Sequence, residues 1–148
     1  MRKIYFAGSI TGGRDEAEAY MHMINYMRKY GKIVTEHVGD KGLREFGEVH
    51  LSAIEIHDRD IEWLHSADVL VAEVSTPSLG VGYEIGRVVE KNLQIPGGKR
   101  RILCLYKKGS DKKLSSMIRG SPEVKVEEYS GLEEAERAID RFFQNLPS

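Results

Sequence analysis

The chain has 148 residues, the usual size of one domain, and is expected to fold as a single domain over 1–148. Hydrophobic residues make up 41% and charged residues 30%, a globular composition. Twenty-two Lys and Arg against 23 Asp and Glu leave a formal net charge of -1, without the basic excess of a general nucleic-acid binder. The lone cysteine, Cys104, excludes an internal disulfide framework and a cysteine-based zinc cluster. The apolar stretch after Lys3 is too short for a secretory signal, and no apolar run approaches the ~20 residues that span a bilayer. The expectation is a cytoplasmic protein, or a nuclear one if the source is eukaryotic, with no membrane contact.

Ile4-Tyr5-Phe6-Ala7 reads as a buried first strand that stops at Gly8. From 14 to about 30 the period becomes helical, with Tyr20, Met23, Ile24, Met27 and Tyr30 on one face and Gly31 at the cap position. Residues 32–35 form a short second strand and 36–50 a polar loop. A helix is predicted over 51–65, with Leu51, Ile54, Ile61 and Leu64 facing inward. Val69-Leu70-Val71-Ala72 is a third strand, 80–90 a helix, 101–106 a fourth strand and 124–127 a weaker fifth. Gly97 to Arg101 reads as a flexible insertion, and Leu132, Ala135, Ile139 and Phe142 mark a last amphipathic helix. The alternation implies an α/β fold: a doubly wound, Rossmann-like, five-stranded parallel sheet with helices on both faces. Ligands of such sheets bind beyond the carboxyl ends of the strands.

Three segments at those ends carry candidate chemistry. Gly8-Ser9-Ile10-Thr11-Gly12-Gly13-Arg14 opens a helix with backbone N–H groups, two hydroxyls and a cation, which suits a monophosphate. It matches neither the dinucleotide nor the Walker glycine pattern, and it also reads as a tight turn. In Ser78-Leu79-Gly80-Val81-Gly82-Tyr83-Glu84 the glycines permit close approach to a ligand. Glu84 is expected in the first turn of the following helix, where the dipole keeps it ionised; a structural helix-start glutamate reads the same way. Within His57-Asp58-Arg59-Asp60-Ile61-Glu62, spacing does not tell which acid points at a site. His37 lies past the second strand, and Cys104 is expected to be buried and inert.

Seven segments in order resemble the 2'-deoxynucleoside 5'-phosphate N-hydrolases, a branch of the nucleoside 2-deoxyribosyltransferase superfamily. They are Tyr5-Phe6-Ala7-Gly8-Ser9-Ile10, Thr35-Glu36-His37, Asp60-Ile61-Glu62-Trp63-Leu64, Ala67-Asp68-Val69, Pro77 to Arg87, Arg101 to Leu105, and Leu114-Ser115-Ser116-Met117-Ile118-Arg119-Gly120. The resemblance implies cleavage of a deoxynucleoside monophosphate into a free base and 2-deoxyribose 5-phosphate, with no cofactor and no metal. It implies Glu84 as nucleophile, Asp60 as general acid and Tyr5 as support for the nucleophile and sugar. It places Gly8, Ser9, Ile10, Ser78, Gly80 and Ser115 around the nucleotide, with His37 and Met117 nearby. Ser115 and Met117 are expected to enter the site of the neighbouring subunit of a homodimer. The chain departs from mammalian members at Thr11, where they carry arginine; Arg14 is expected to reach the same phosphate. A CMP-type ribonucleotide glycosidase, a deoxyribosyltransferase and a non-catalytic nucleotide-binding module are the alternatives.

Overall fold

The structure, a computed structural model, describes residues 1–11, 13–35 and 51–147, with the backbone alone at Arg14. His37, the Arg14 side chain and the loop expected over 36–50 therefore lie outside the described residues. The elements follow as β1 (Lys3–Gly8), α1 (Arg14–Met27), β2 (Lys32–Ile33), α2 (Ala53–Ser66), β3 (Val69–Glu73), α3 (Leu79–Gln94), β4 (Arg101–Lys107), α4 (Ser116–Arg119), β5 (Val124–Tyr129) and α5 (Leu132–Gln144). All strand pairs are parallel, in the order β2-β1-β3-β4-β5.

Alternate side chains of the central strands feed two cores. Ile4, Phe6, Val69, Val71, Leu103 and Leu105 pack with α1 and α5 on one face. Tyr5, Ala7, Leu70, Ala72, Ile102 and Cys104 pack with α2 and α3 on the other. This two-sided burial explains why the strands read as unbroken apolar runs. Cys104 is fully buried, and burial pushes its thiol up to about 12, so it stays a thiol.

Several expectations need correction. The ladder of β2 ends at Ile33 because the Thr35 hydroxyl takes over: it accepts from Phe6 N–H and donates to Phe6 O, both at 2.7 Å. Gly31 caps no helix. A Cβ there would lie 2.4 Å from the Arg2 carbonyl oxygen, which accepts Lys32 N–H at 2.8 Å, so the glycine lets β2 start against β1. In α2 only Leu64 is buried, and Ile54 is 74% exposed. Ser52 caps that helix in a reciprocal capping box with Glu55. The expected insertion is pinned at its end: buried Asn92 makes two 2.8 Å hydrogen bonds with the Arg100 backbone, and the Arg100 side chain donates to the carbonyls of Ala67 and His65. In α5 the buried aromatic is Phe143 rather than Phe142. Among the described residues no helix is long and apolar enough to cross a membrane.

Candidate active site

In the order β2-β1-β3-β4-β5, β1 lies between β2 and β3, and the connections leave it in opposite directions. The crevice beyond the carboxyl ends of β1 and β3 is the topological switch point. A cavity of about 350 Å³ opens there, and Tyr5, Gly8, Ile10, Asp60, Ser78, Gly80 and Glu84 all line it. The sheet supplies Tyr5 from the face that packs on α2 and α3. Helix α2 contributes Ile56, His57, Asp60 and Ile61, whose i, i+1, i+4, i+5 spacing is one helical face. Helix α3 brings Glu84. Ser78 caps α3 by accepting Val81 N–H at 3.2 Å. A Cβ at Gly80 would meet only Ser78 Oγ, at 3.8 Å, so no protein atom there demands a glycine.

Glu84 is not in the first turn of α3. With Ser78 as cap, it sits in the second turn, away from the free N–H groups. Its environment also differs from the one expected. Withdrawal from water pushes its carboxyl from 4.5 up to about 7; the Tyr5 hydrogen bond pulls against this, and the Asp60 charge adds to it. The Tyr5 hydroxyl donates to Glu84 Oε2. Burial, then the Glu84 carboxylate, hold the Tyr5 phenol far above its usual range, so it remains a donor. Asp60 lies close enough for its charge to act on both.

The glycine loop after β1 is more closed than expected. Ser9 is buried, and its hydroxyl shares a 2.9 Å hydrogen bond with that of Thr11 while accepting Thr11 N–H at 3.3 Å. Neither residue lines the cavity that holds Glu84. Ser115 and Met117 are also apart from it. They line a neighbouring cavity of about 540 Å³, which shares Ser78 and Val81 with the first. Ser115 caps the short α4 through Met117 N–H, and Met117 is 82% exposed.

Sequence reasoning did not single out His57 and Tyr83, which line the rim of the Glu84 cavity. The Tyr83 hydroxyl takes a 2.8 Å hydrogen bond from Arg87 and lies 3.1 Å from His57 Nε2, linking α3 to α2 across the mouth. Only folding brings these two helices side by side, so spacing held no signal. A second buried acid, Glu73, lies at the end of β3 on the α1 side. Ser75 and Tyr129 donate to its carboxylate, and it takes no part in the Glu84 cavity. Among the described residues no three His, Cys, Asp or Glu side chains gather as a metal site.

Comparison with known proteins gives the family of the chain. The family model of nucleoside 2-deoxyribosyltransferase matches residues 4–112. The 5-hydroxymethyl-dUMP N-hydrolase of Tetraodon nigroviridis is 44% identical over 148 residues, covering 97% of this chain and 98% of the relative. The human 5-hydroxymethyl-dUMP N-hydrolase is 43% identical over 148 residues, 97% of this chain and 80% of that one. Clostridium botulinum CMP N-glycosidase BcmB shares the fold, with a TM-score of 0.69 over 95% of this chain and 99% of its own, at 16% identity. The chain belongs to the nucleoside 2-deoxyribosyltransferase family, in the branch of the 2'-deoxynucleoside 5'-phosphate N-hydrolases.

Proposed function

We propose that this protein hydrolyses the N-glycosidic bond of 2'-deoxynucleoside 5'-monophosphates, releasing the base and 2-deoxyribose 5-phosphate. The observation that carries this reading is the placement of Glu84 and Asp60 in one cavity at the switch point, with Tyr5 bonded to Glu84. Two carboxyl groups are the working parts of a glycosidase. The relatives at 43–44% identity, named as N-hydrolases of a deoxyuridine monophosphate, support the substrate class.

In this mechanism the ionised Glu84 attacks C1' of the sugar. The C1'–N bond breaks with its electron pair going to the base, which takes a proton from Asp60. A glycosyl ester on Glu84 remains. Asp60, now ionised, takes a proton from water as the water oxygen attacks C1', and Glu84 leaves as a carboxylate. The sum is nucleotide plus water to base plus sugar phosphate. Tyr5 holds Glu84 Oε2 and orients the other oxygen toward the sugar. The apolar rim of Ile10, Ile56 and Ile61 gives the base a surface to lie on.

Phosphate recognition falls to the Ser9 and Thr11 hydroxyls, the Gly8 and Gly80 backbones, and Ser78, with Arg14 as cation and His37 beside the nucleotide. Ser9 and Thr11 bond one another, which uses one hydroxyl proton and leaves the other to donate to a phosphate. Ser115 and Met117 act in the cavity of a second copy of this chain. Support comes from two exposed apolar side chains that line the Ser115 cavity, Leu79 at 97% and Met117 at 82%, which a second copy would cover.

The test is chromatography of free base from a panel of deoxynucleoside monophosphates, ribonucleoside monophosphates and deoxynucleosides. Release from the first class is the expected result. Release only from ribonucleotides, or exchange of one base for another without hydrolysis, overturns it.

A further inference from the structure

Asp60 has a partner that the mechanism above does not use. Arg59, its neighbour in α2, donates two hydrogen bonds to the same oxygen, Oδ1, from Nε at 3.0 Å and Nη2 at 2.9 Å. Adjacent residues on a helix point in different directions and do not ordinarily face each other. The Arg59 side chain is therefore turned back toward Asp60. Trp63, one turn further on, accounts for that turn: the guanidinium carbon lies 4.8 Å from the centroid of its ring. Both charged side chains are only about a quarter exposed, at 25% and 26%. Among the described residues, Asp60 Oδ2 has no hydrogen-bond partner.

We propose that Arg59 is a positioning residue for the reaction: it fixes Asp60 Oδ1 from the flank and so presents Oδ2 to the cavity. The terminal torsion of aspartate is broad and two-fold, so an unheld carboxylate samples many orientations. A two-point hold from a planar guanidinium removes that freedom before substrate arrives, and lysine, a point charge, cannot reproduce it. The positive charge of Arg59 is also felt at the Tyr5 phenol, where it opposes the carboxylates, so it lies within the same electrostatic cluster.

The inference rests on Asp60 being the proton donor to the base, and the experiment separates the two ideas. Arg59→Met, Asp60→Asn and the double variant are compared on a deoxynucleoside monophosphate. They are also compared on a 2-deoxyribosyl 5-phosphate carrying p-nitrophenolate, which leaves without protonation. The expected result has three parts. Arg59→Met lowers kcat about tenfold with KM nearly unchanged, a fraction of the ~10²–10⁴ that a general acid contributes. Arg59→Lys recovers only part of that loss. The Arg59 effect vanishes in the Asp60→Asn background, and on the p-nitrophenyl substrate it vanishes from kcat/KM, which reports formation of the glycosyl ester without need of an acid. Normal kcat in Arg59→Met beside a crippled Asp60→Asn overturns the positioning role and leaves the mechanism standing. Equal losses of kcat/KM on both substrates, or additive losses in the double variant, mark a structural role and overturn it as well. Full activity in Asp60→Asn overturns the mechanism itself.

Discussion

The Tyr5 hydroxyl donates to Glu84 Oε2 and so joins strand β1 to the second turn of α3. That bond works against burial, which pushes the Glu84 carboxyl up to about 7. A nucleophilic carboxylate must be ionised, so about half of the free enzyme is competent near pH 7. We predict that kcat/KM rises with pH through about 7 with a slope of one, read from a pH–rate profile on a deoxynucleotide. Tyr5→Phe removes the stabilising donor. The same limb then moves to higher pH by about one unit, and kcat falls roughly tenfold or more. A profile that Tyr5→Phe leaves in place contradicts the role given to this bond.

The shift at Glu84 also has a cost in stability. The folded group binds its proton more tightly than the unfolded one, with a value near 7 against 4.5. Between those values folding takes up a proton, so stability falls as pH rises, and the full penalty is reached above about 7. Glu84→Gln keeps an acceptor for Tyr5 and removes the charge. It is expected to abolish base release while stabilising the fold by about 1–3 kcal/mol at pH 8, with little effect at pH 4. Melting curves of both proteins at the two pH values check this. A variant less stable than the parent at pH 8 rejects it.

The parts of the fold legible in the sequence were those governed by short-range pattern. Unbroken apolar runs marked β1, β3 and β4 because two cores press on them from opposite faces. The edge strand β5 was read two residues short, since Glu127 and Glu128 disguise a strand that runs on to Tyr129. Glu84 was found through its motif but placed a turn too early, because the capping role of Ser78 depends on its extended backbone. The Arg59 contact was hidden for a different reason. Adjacent helical residues carry no expectation of pairing, and Trp63 makes this one possible.

Gly31 offers a test of the packing correction. A glycine that caps a helix in this way stands at positive φ, and Gly31 does not. A Cβ on Gly31 would instead lie 2.4 Å from the Arg2 carbonyl oxygen and 3.1 Å from its carbon, both backbone atoms. Gly31→Ala therefore has to push β2 away from the start of β1. A loss of roughly 1–3 kcal/mol in denaturant unfolding is expected, the range for overpacking a tight site. A change within about 0.5 kcal/mol would return Gly31 to an ordinary turn position.

The partition of site residues between two cavities makes the last prediction one of arithmetic. Glu84 lines one cavity and Ser115 and Met117 line the other, with Ser78 and Val81 as the common wall. If the Ser115 segment serves a second copy, each active site draws Glu84 from one chain and Ser115 from the other. A Glu84→Ala chain and a Ser115→Ala, Met117→Ala chain are then each defective alone. Unfolded and refolded together, half of the dimers are mixed, and each mixed dimer holds one site with both parts intact. Activity is expected to recover to about one quarter of the wild-type value at equal total protein. Should the two segments serve the same chain, no site in the mixture is whole and activity stays at the average of the two variants. A four-to-one excess of either chain lowers the mixed fraction, so the recovery must fall on both sides of the equal mixture, which no simple contamination by wild-type protein would do.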